Sequence, residues 1–172
     1  MISSINVDIL PKSSLPAGIK LNLEVNSKFL AMNGFVFPAI IQTPSFLCAP
    51  PFLRPHKSIT VMALLDTGAT RTCITGLIAD ALELTPVGFS KAHTASGVEE
   101  FADYAVDILF PDAGLLSFED LNVGSCSLPY MHYLSDEQRM AHTNIGALIG
   151  RDMMSRWNIV WNGPSSSVFV SE

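Results

Sequence analysis

Charge is scarce in this chain. Of its 172 residues only 15% are Asp, Glu, Lys or Arg, and the formal net charge at pH 7 is −6. Nucleic acids and anionic membranes select basic surfaces, so neither is expected as a partner. Cysteine is scarcer still. Cys48, Cys73 and Cys126 are odd in number, lie far apart and form no CxxC pair, so they specify no disulfide framework. They read as buried or half-buried thiols of a reducing compartment. Long apolar runs are missing too. The most apolar early stretch, FLAMNGFVFPAII (29–41), is broken by Asn33, Gly34 and Pro38. It is shorter than the roughly 20 residues that a membrane helix needs. The opening MISSINVDILPKSS has neither a basic start nor a sustained apolar run, so no signal peptide is expected. The chain reads as soluble and cytoplasmic.

The usual constellations of chemistry are missing as well. His56, His93, His132 and His142 show no HExxH or other ligand spacing, so no metal site is expected. There is no GxGxxG, no GxxxxGK[ST] and no GxSxG, and no cofactor is expected. GSCSL (124–128) resembles the last of these only loosely, because Leu128 stands where a second Gly belongs. A nucleophile pair of Cys126 with His132 or His142 is formally open, but any chain with both residue types meets that description.

What the chain does have is apolar content, 48%, with eleven Gly and eleven Pro spread along it. That composition describes a globular domain of short strands and many turns. Residues 1–37 read as an N-terminal extension, a pro-segment or an extra interface strand, with GIKLNLEV (18–25) alternating like a half-buried strand. Residues 38–172 read as the domain proper. FPAIIQTPSF (37–46) carries a strand and CAPPFLRPHKS (48–58) a Pro-rich loop. ITVMALLD (59–66) is nearly all apolar and is expected to be covered on both faces. TGLIADALEL (75–84) is expected to be a short helix with Leu77, Ile78, Ala81 and Leu82 on its inner side. Residues 89–110 read as a hairpin turning at Ala95-Ser96-Gly97, where Gly97 can adopt positive φ. Residues 115–131 read as a strand pair around Asn122-Val123-Gly124, and 135–142 as a short helix or turn with a capping box. IGALIG (145–150) is an apolar strand, RDMMSRW (151–157) a short helix, and NIVWN and SSVFVSE two closing strands. The class is mostly β with a barrel-like or orthogonally packed core.

One stretch does not fit a purely structural account. In ALLDTGATRTCI (63–74) an apolar strand runs into Asp66, followed by the small residues Thr67, Gly68 and Ala69. A carboxylate at the end of a buried strand is costly unless it is paired or used. Asp-Thr-Gly is by itself also an ordinary turn sequence. A second stretch alters the weighing: ALIGRDMM (147–154) again runs two large aliphatics, Leu148 and Ile149, into Gly150, followed by Arg151 and Asp152. Together the two stretches resemble the retropepsin family, the retroviral-type aspartic proteases and their cellular and bacterial relatives. The resemblance covers roughly residues 38–172 and includes a Gly-tipped hairpin between the motifs, at HTASGVEEF (93–101).

The resemblance implies a retropepsin-like acid protease fold with one lobe per chain. Asp66 would be the catalytic aspartate, supported by Thr67, Gly68 and Ala69. Leu148, Ile149, Gly150, Arg151 and Asp152 would form the strand and short helix beneath it. Thr94, Ala95, Ser96, Gly97 and Val98 would belong to a flap over an extended peptide substrate. Only one Asp-Thr/Ser-Gly occurs, and FPDAG (110–114) is a poor imitation, so the resemblance implies a homodimer contributing one Asp66 per chain. Leu64, Ile74, Val98 and Ile149 are apolar candidates for the cleft or for plain core. Retroviral members place acidic residues after the DTGA, where this chain has Thr70 and Arg71. Arg151 is therefore expected to find another partner, Asp152 or a C-terminal carbonyl. A retropepsin-like module that binds or dimerises without cleaving is the alternative reading.

Overall fold

The structure, a computed structural model, describes residues 34–94, 97–110, 117–127, 145–162 and 167–171. Nine strands and three short helices run through them: β1 (Phe35–Gln42), α1 (Ser45–Cys48), β2 (Ser58–Leu65), β3 (Cys73–Thr75), α2 (Gly76–Ala81), β4 (Gly88–Thr94), β5 (Gly97–Leu109), β6 (Phe118–Cys126), β7 (Ile145–Ile149), α3 (Arg151–Met154), β8 (Asn158–Asn162) and β9 (Ser167–Ser171). Seven strands share one sheet in the order β1-β2-β7-β3-β6-β5-β4, and a further pairing of β1 with β5 closes six of them into a barrel. β4 lies outside the closure as the outer arm of the β4–β5 hairpin, and β8–β9 form a separate ribbon. The mostly β, barrel-like fold class expected from the sequence is the one observed.

Alternation fills the barrel. Phe37, Ala39 and Ile41 of β1, Val61, Ala63 and Leu65 of β2, and Ala147 and Ile149 of β7 all point inward and are buried. Each large aliphatic among them contributes about 1.5–3 kcal/mol by leaving water. Pro38 is tolerated inside β1 because only Ile40 to Gln42 pair with β5, so its missing N–H costs no ladder bond on that side. At one end of the barrel Phe37, Phe110 and Phe118 surround Trp157, with ring centroids 6.4, 5.4 and 5.9 Å from it. This aromatic cluster, with Met153 and Met154, holds α3 against the core.

Four local expectations need correction. β2 is not covered on both faces: Val61, Ala63 and Leu65 are buried, but Met62 and Leu64 on the outer face are only half-buried, as befits a barrel strand. The α2 helix ends at Ala81, and its inner side is Ile78, Ala79 and Leu82; Leu77 and Ala81 face solvent. Residues 118–126 form one continuous strand rather than a pair, because β5 matches it across Asn122, Val123 and Gly124. Gly124 there serves close packing instead of a turn: an added Cβ would lie 3.4 Å from the Cys73 Sγ. The folded unit also takes in Phe35, the first residue of β1, which is stacked on Phe37. The strand proposed at 18–25 and the helix at 135–142 lie outside the described residues.

Candidate active site

The position of Asp66 follows from how three strands share one edge. β7 runs parallel to β2, with Leu64 opposite Leu148 and Leu65 opposite Ile149, and antiparallel to β3, with Cys73 opposite Leu148. It thus lies between the strand entering Asp66 and the strand leaving Thr72. Residues 66–72 must therefore pass over the end of β7, and the crossing falls on Gly150. A Cβ there would sit 2.6 Å from the Arg71 carbonyl oxygen and 2.8 Å from the Thr72 nitrogen. Only a residue without a side chain permits the approach.

Backbone bonds extend the ladder along the loop. Asp66 N–H donates to the Ile149 carbonyl (3.0 Å), Arg151 N–H to Ala69 (3.0 Å) and Asp152 N–H to Thr70 (3.2 Å). Asp66 closes its own turn, since its carbonyl accepts from Ala69 N–H and its Oδ1 accepts from Gly68 N–H at 2.8 Å. The carboxylate is half-buried, and Oδ2 has no partner among the described residues. Thr67 and Gly68 are exposed and Ala69 half-buried. The aspartate is thus less buried in the single chain than its strand suggests.

Two side chains pin the loop from behind. The Arg151 guanidinium donates to the carbonyls of Thr67 (2.7 Å) and Gly68 (3.3 Å) and to the Thr70 Oγ1 (2.9 Å). Among the described residues its partners are thus a hydroxyl and two carbonyls, and neither Asp152 nor a C-terminal carbonyl is one of them. Asp152 instead accepts from the Thr72 N–H and hydroxyl, at 2.8 Å for each shortest contact. Thr72, wholly buried, also accepts the Gly150 N–H at 3.1 Å. Sequence reasoning missed Thr72. Its one signal was a hydroxyl at the mouth of an apolar strand, which acquires meaning only when Gly150 and Asp152 are brought beside it.

The hairpin lies where the sequence places it. β4 and β5 pair from Gly88↔Asp103 out to Thr94↔Gly97, and Gly97 has φ +130°, the positive φ that the tip requires. Ala95 and Ser96 lie outside the described residues. Val98 is 59% exposed and Leu64 half-buried, so both remain available to a ligand, whereas Ile74 and Ile149 are wholly buried core.

The Cys126 thiol is pushed far above its ordinary range by its hydrogen bond with Cys73 and by burial, the opposite of what a nucleophile needs. The same bond holds Cys73 below its ordinary value, against the effect of burial and with help from Arg71. His132 and His142 lie outside the described residues. Among the described residues no cluster of three or more His, Cys, Asp or Glu could hold a metal ion, and no helix is long and apolar enough to cross a membrane.

No protein-family model and no curated protein matches the chain. Among solved structures the chain is similar to a retropepsin-like aspartic protease from Rickettsia conorii, at 15% identity and a TM-score of 0.45, over 80% of this chain and 81% of that one.

Proposed function

We propose that the chain is one half of an aspartic endopeptidase, a homodimer that hydrolyses peptide bonds with a water held between two Asp66 side chains. The observation that carries this reading is the contrast at Asp66. The loop behind it is tied at every turn to Ile149, Arg151 and Asp152, while Asp66 Oδ2 has no partner among the described residues and Thr67 and Gly68 are exposed. A plain structural turn has no use for so rigid a presentation of a half-open carboxylate.

A twofold axis through this face would set the two Asp66 carboxylates side by side. Two such groups cannot both ionise, so they share one proton and titrate as a unit. The ionised member takes a proton from the bound water as that water attacks the scissile carbonyl. The protonated member donates a hydrogen bond to the developing oxyanion, and the proton then passes to the leaving amine. Gly68 N–H on Oδ1 orients each carboxylate for this exchange. The exposed Thr67 hydroxyls suit contact with their symmetry mates. The β4–β5 hairpin suits an extended peptide added as a strand, with Val98 and Leu64 as apolar contacts.

The test compares wild type with Asp66→Asn on a peptide library between pH 4 and 7, with products read by mass. Wild type is expected to cleave and the variant to lose all but a trace. Equal cleavage by both proteins would remove the aspartic mechanism, and a monomer at every concentration in sedimentation would remove the shared dyad. A stable dimer without cleavage would favour a binding module.

A further inference from the structure

A connected polar cluster of described residues joins the pinned loop, through Arg71, to the base of the hairpin. Arg71 Nη1 donates to Ser90 Oγ (2.9 Å) on β4 and to Asp103 Oδ1 (3.2 Å) on β5; Nη2 donates to Asn122 Oδ1 (3.1 Å) on β6. Ser90 Oγ donates in turn to the same Asp103 oxygen at 2.8 Å. One guanidinium, five residues beyond Asp66, therefore holds three strands at once.

The strands are cut to admit it. Asp103 is paired with Gly88 on one side and Gly124 on the other, and Gly124 faces Cys73 across the next ladder. Added Cβ atoms at Gly88 and Gly124 would come 3.9 and 4.0 Å from the Asp103 carboxylate. With no side chains on either flank, the space over Asp103 is left to Arg71 and Ser90. The Asp103 side chain is only 10% exposed, so its charge needs a partner, and Arg71, at 37%, supplies it. A surface ion pair would count for little; here the acid is enclosed and the cation is shared by three acceptors.

The geometry points to Arg71 as a positioning residue. It latches the base of the β4–β5 hairpin to the loop that carries Asp66, and so sets the height of the flap above the cleft. This rests on the protease reading for its consequence, peptide binding, but not for the latch itself. Beyond Asp103 the ladder that β5 forms among the described residues is the one with β4, so the Arg71 bonds at the base set the angle at which the arms leave the barrel. A tilt of the flap weakens binding of peptide in ground state and transition state alike, which raises KM and spares kcat.

Arg71→Met, Arg71→Lys and wild type separate these outcomes, with hydrogen exchange followed by mass over segments 88–94 and 97–103 and, as reference, 58–65. In Arg71→Met the hairpin segments are expected to exchange about tenfold faster while 58–65 is unchanged, the loss expected of a charge-assisted bond. KM for a cleaved peptide is expected to rise about tenfold with kcat within about threefold of wild type. Arg71→Lys keeps a cation on Asp103 and is expected to recover most of both effects. Unchanged exchange in the hairpin, or equal acceleration in all three segments, overturns the latch. Faster hairpin exchange with an unaltered KM overturns the positioning role. If wild type cleaves no peptide, the protease reading has failed and the exchange result alone decides the latch.

Discussion

Replacing Gly150 by alanine tests the crossing on which the site depends. The new methyl would lie 2.6 Å from the Arg71 carbonyl oxygen and 2.8 Å from the Thr72 nitrogen, where ordinary contact begins at 3.4 Å. Both neighbours are backbone, so neither can rotate aside. The loop must back away by the better part of an ångström, and the bonds across the crossing are the first to stretch. Gly150 N–H to Thr72 Oγ1 already stands at 3.1 Å, and the Thr72 N–H to Asp152 bonds lie directly behind. Overpacking costs about 1–3 kcal/mol, and leaving a buried polar group without its partner about 1–3 more. A total of about 2–6 kcal/mol is a large part of the roughly 5–15 kcal/mol by which domains are stable. At about 2–4 °C per kcal/mol for a chain of this size, Tm should fall by roughly 4–24 °C. Circular dichroism melts at one fixed protein concentration read this, since any association of copies would make Tm depend on concentration. Gly76→Ala is the control: nothing lies within 4 Å of its added Cβ, and it opens α2, so Tm should hold or rise slightly. A Gly150→Ala protein melting within about 2 °C of wild type would refute the reasoning.

Two further outcomes follow from buried polar groups. Thr72→Val keeps the shape of the side chain but strands the Gly150 N–H and removes a donor from Asp152, a loss of about 1–3 kcal/mol in urea denaturation; Thr72→Ser, which keeps the hydroxyl, should recover most of it. Asp107 is 1% exposed, and burial alone would raise its pKa. Bonds from the Ser45 hydroxyl (2.6 Å), the Asp120 N–H (2.8 Å), the Ser45 N–H (2.9 Å) and Gln42 Nε2 (3.4 Å) outweigh burial and hold it below the usual value. A depressed carboxylate pKa stabilises the fold above the unfolded value of about 3.9, and that stabilisation is lost as pH falls through the folded pKa. Melts from pH 5 down to pH 2 should show wild type weakening steeply and Asp107→Asn, less stable at neutral pH, weakening along a shallower limb; parallel limbs would show that Asp107 is not the group responsible.

What could be read from the chain without coordinates was whatever a single local segment decides. The apolar run that ends at Asp66 is a strand, and Gly97 has the positive φ that a turn at 95–97 asks for. What stayed hidden depends on segments far apart in sequence. Thr72 looks like any threonine until Gly150 and Asp152 arrive beside it. Gly124 looks like a turn until Cys73 and Asp103 occupy the space it leaves. The inner side of α2 could not be settled by counting, because Leu77 and Ile78 are equally apolar and only the barrel decides which of them turns inward. Asp152 and a C-terminal carbonyl are the partners that the sequence offers Arg151, but the loop folds its own carbonyls into reach.

The same contrast separates a turn from a site. A loop that only reverses the chain needs its buried groups satisfied, but not three backbone bonds and the side chains of Arg151 and Asp152 fixing it behind an exposed turn. The back is satisfied: Thr72, wholly buried, engages Gly150 and Asp152 through both its hydroxyl and its N–H. The front is not. Asp66 keeps one oxygen on Gly68 N–H and leaves the other without a partner among the described residues, beside an exposed Thr67. Rigidity is thus placed behind a group that the fold itself does not need to hold still. Fixed geometry at an open carboxylate becomes useful when a second charge-bearing group must meet it within hydrogen-bond reach, because misplacement of about 1 Å is enough to lose most of a catalytic advantage. The chain has only one Asp-Thr-Gly, so on the proposed reading the group to meet it is the Asp66 of a second copy.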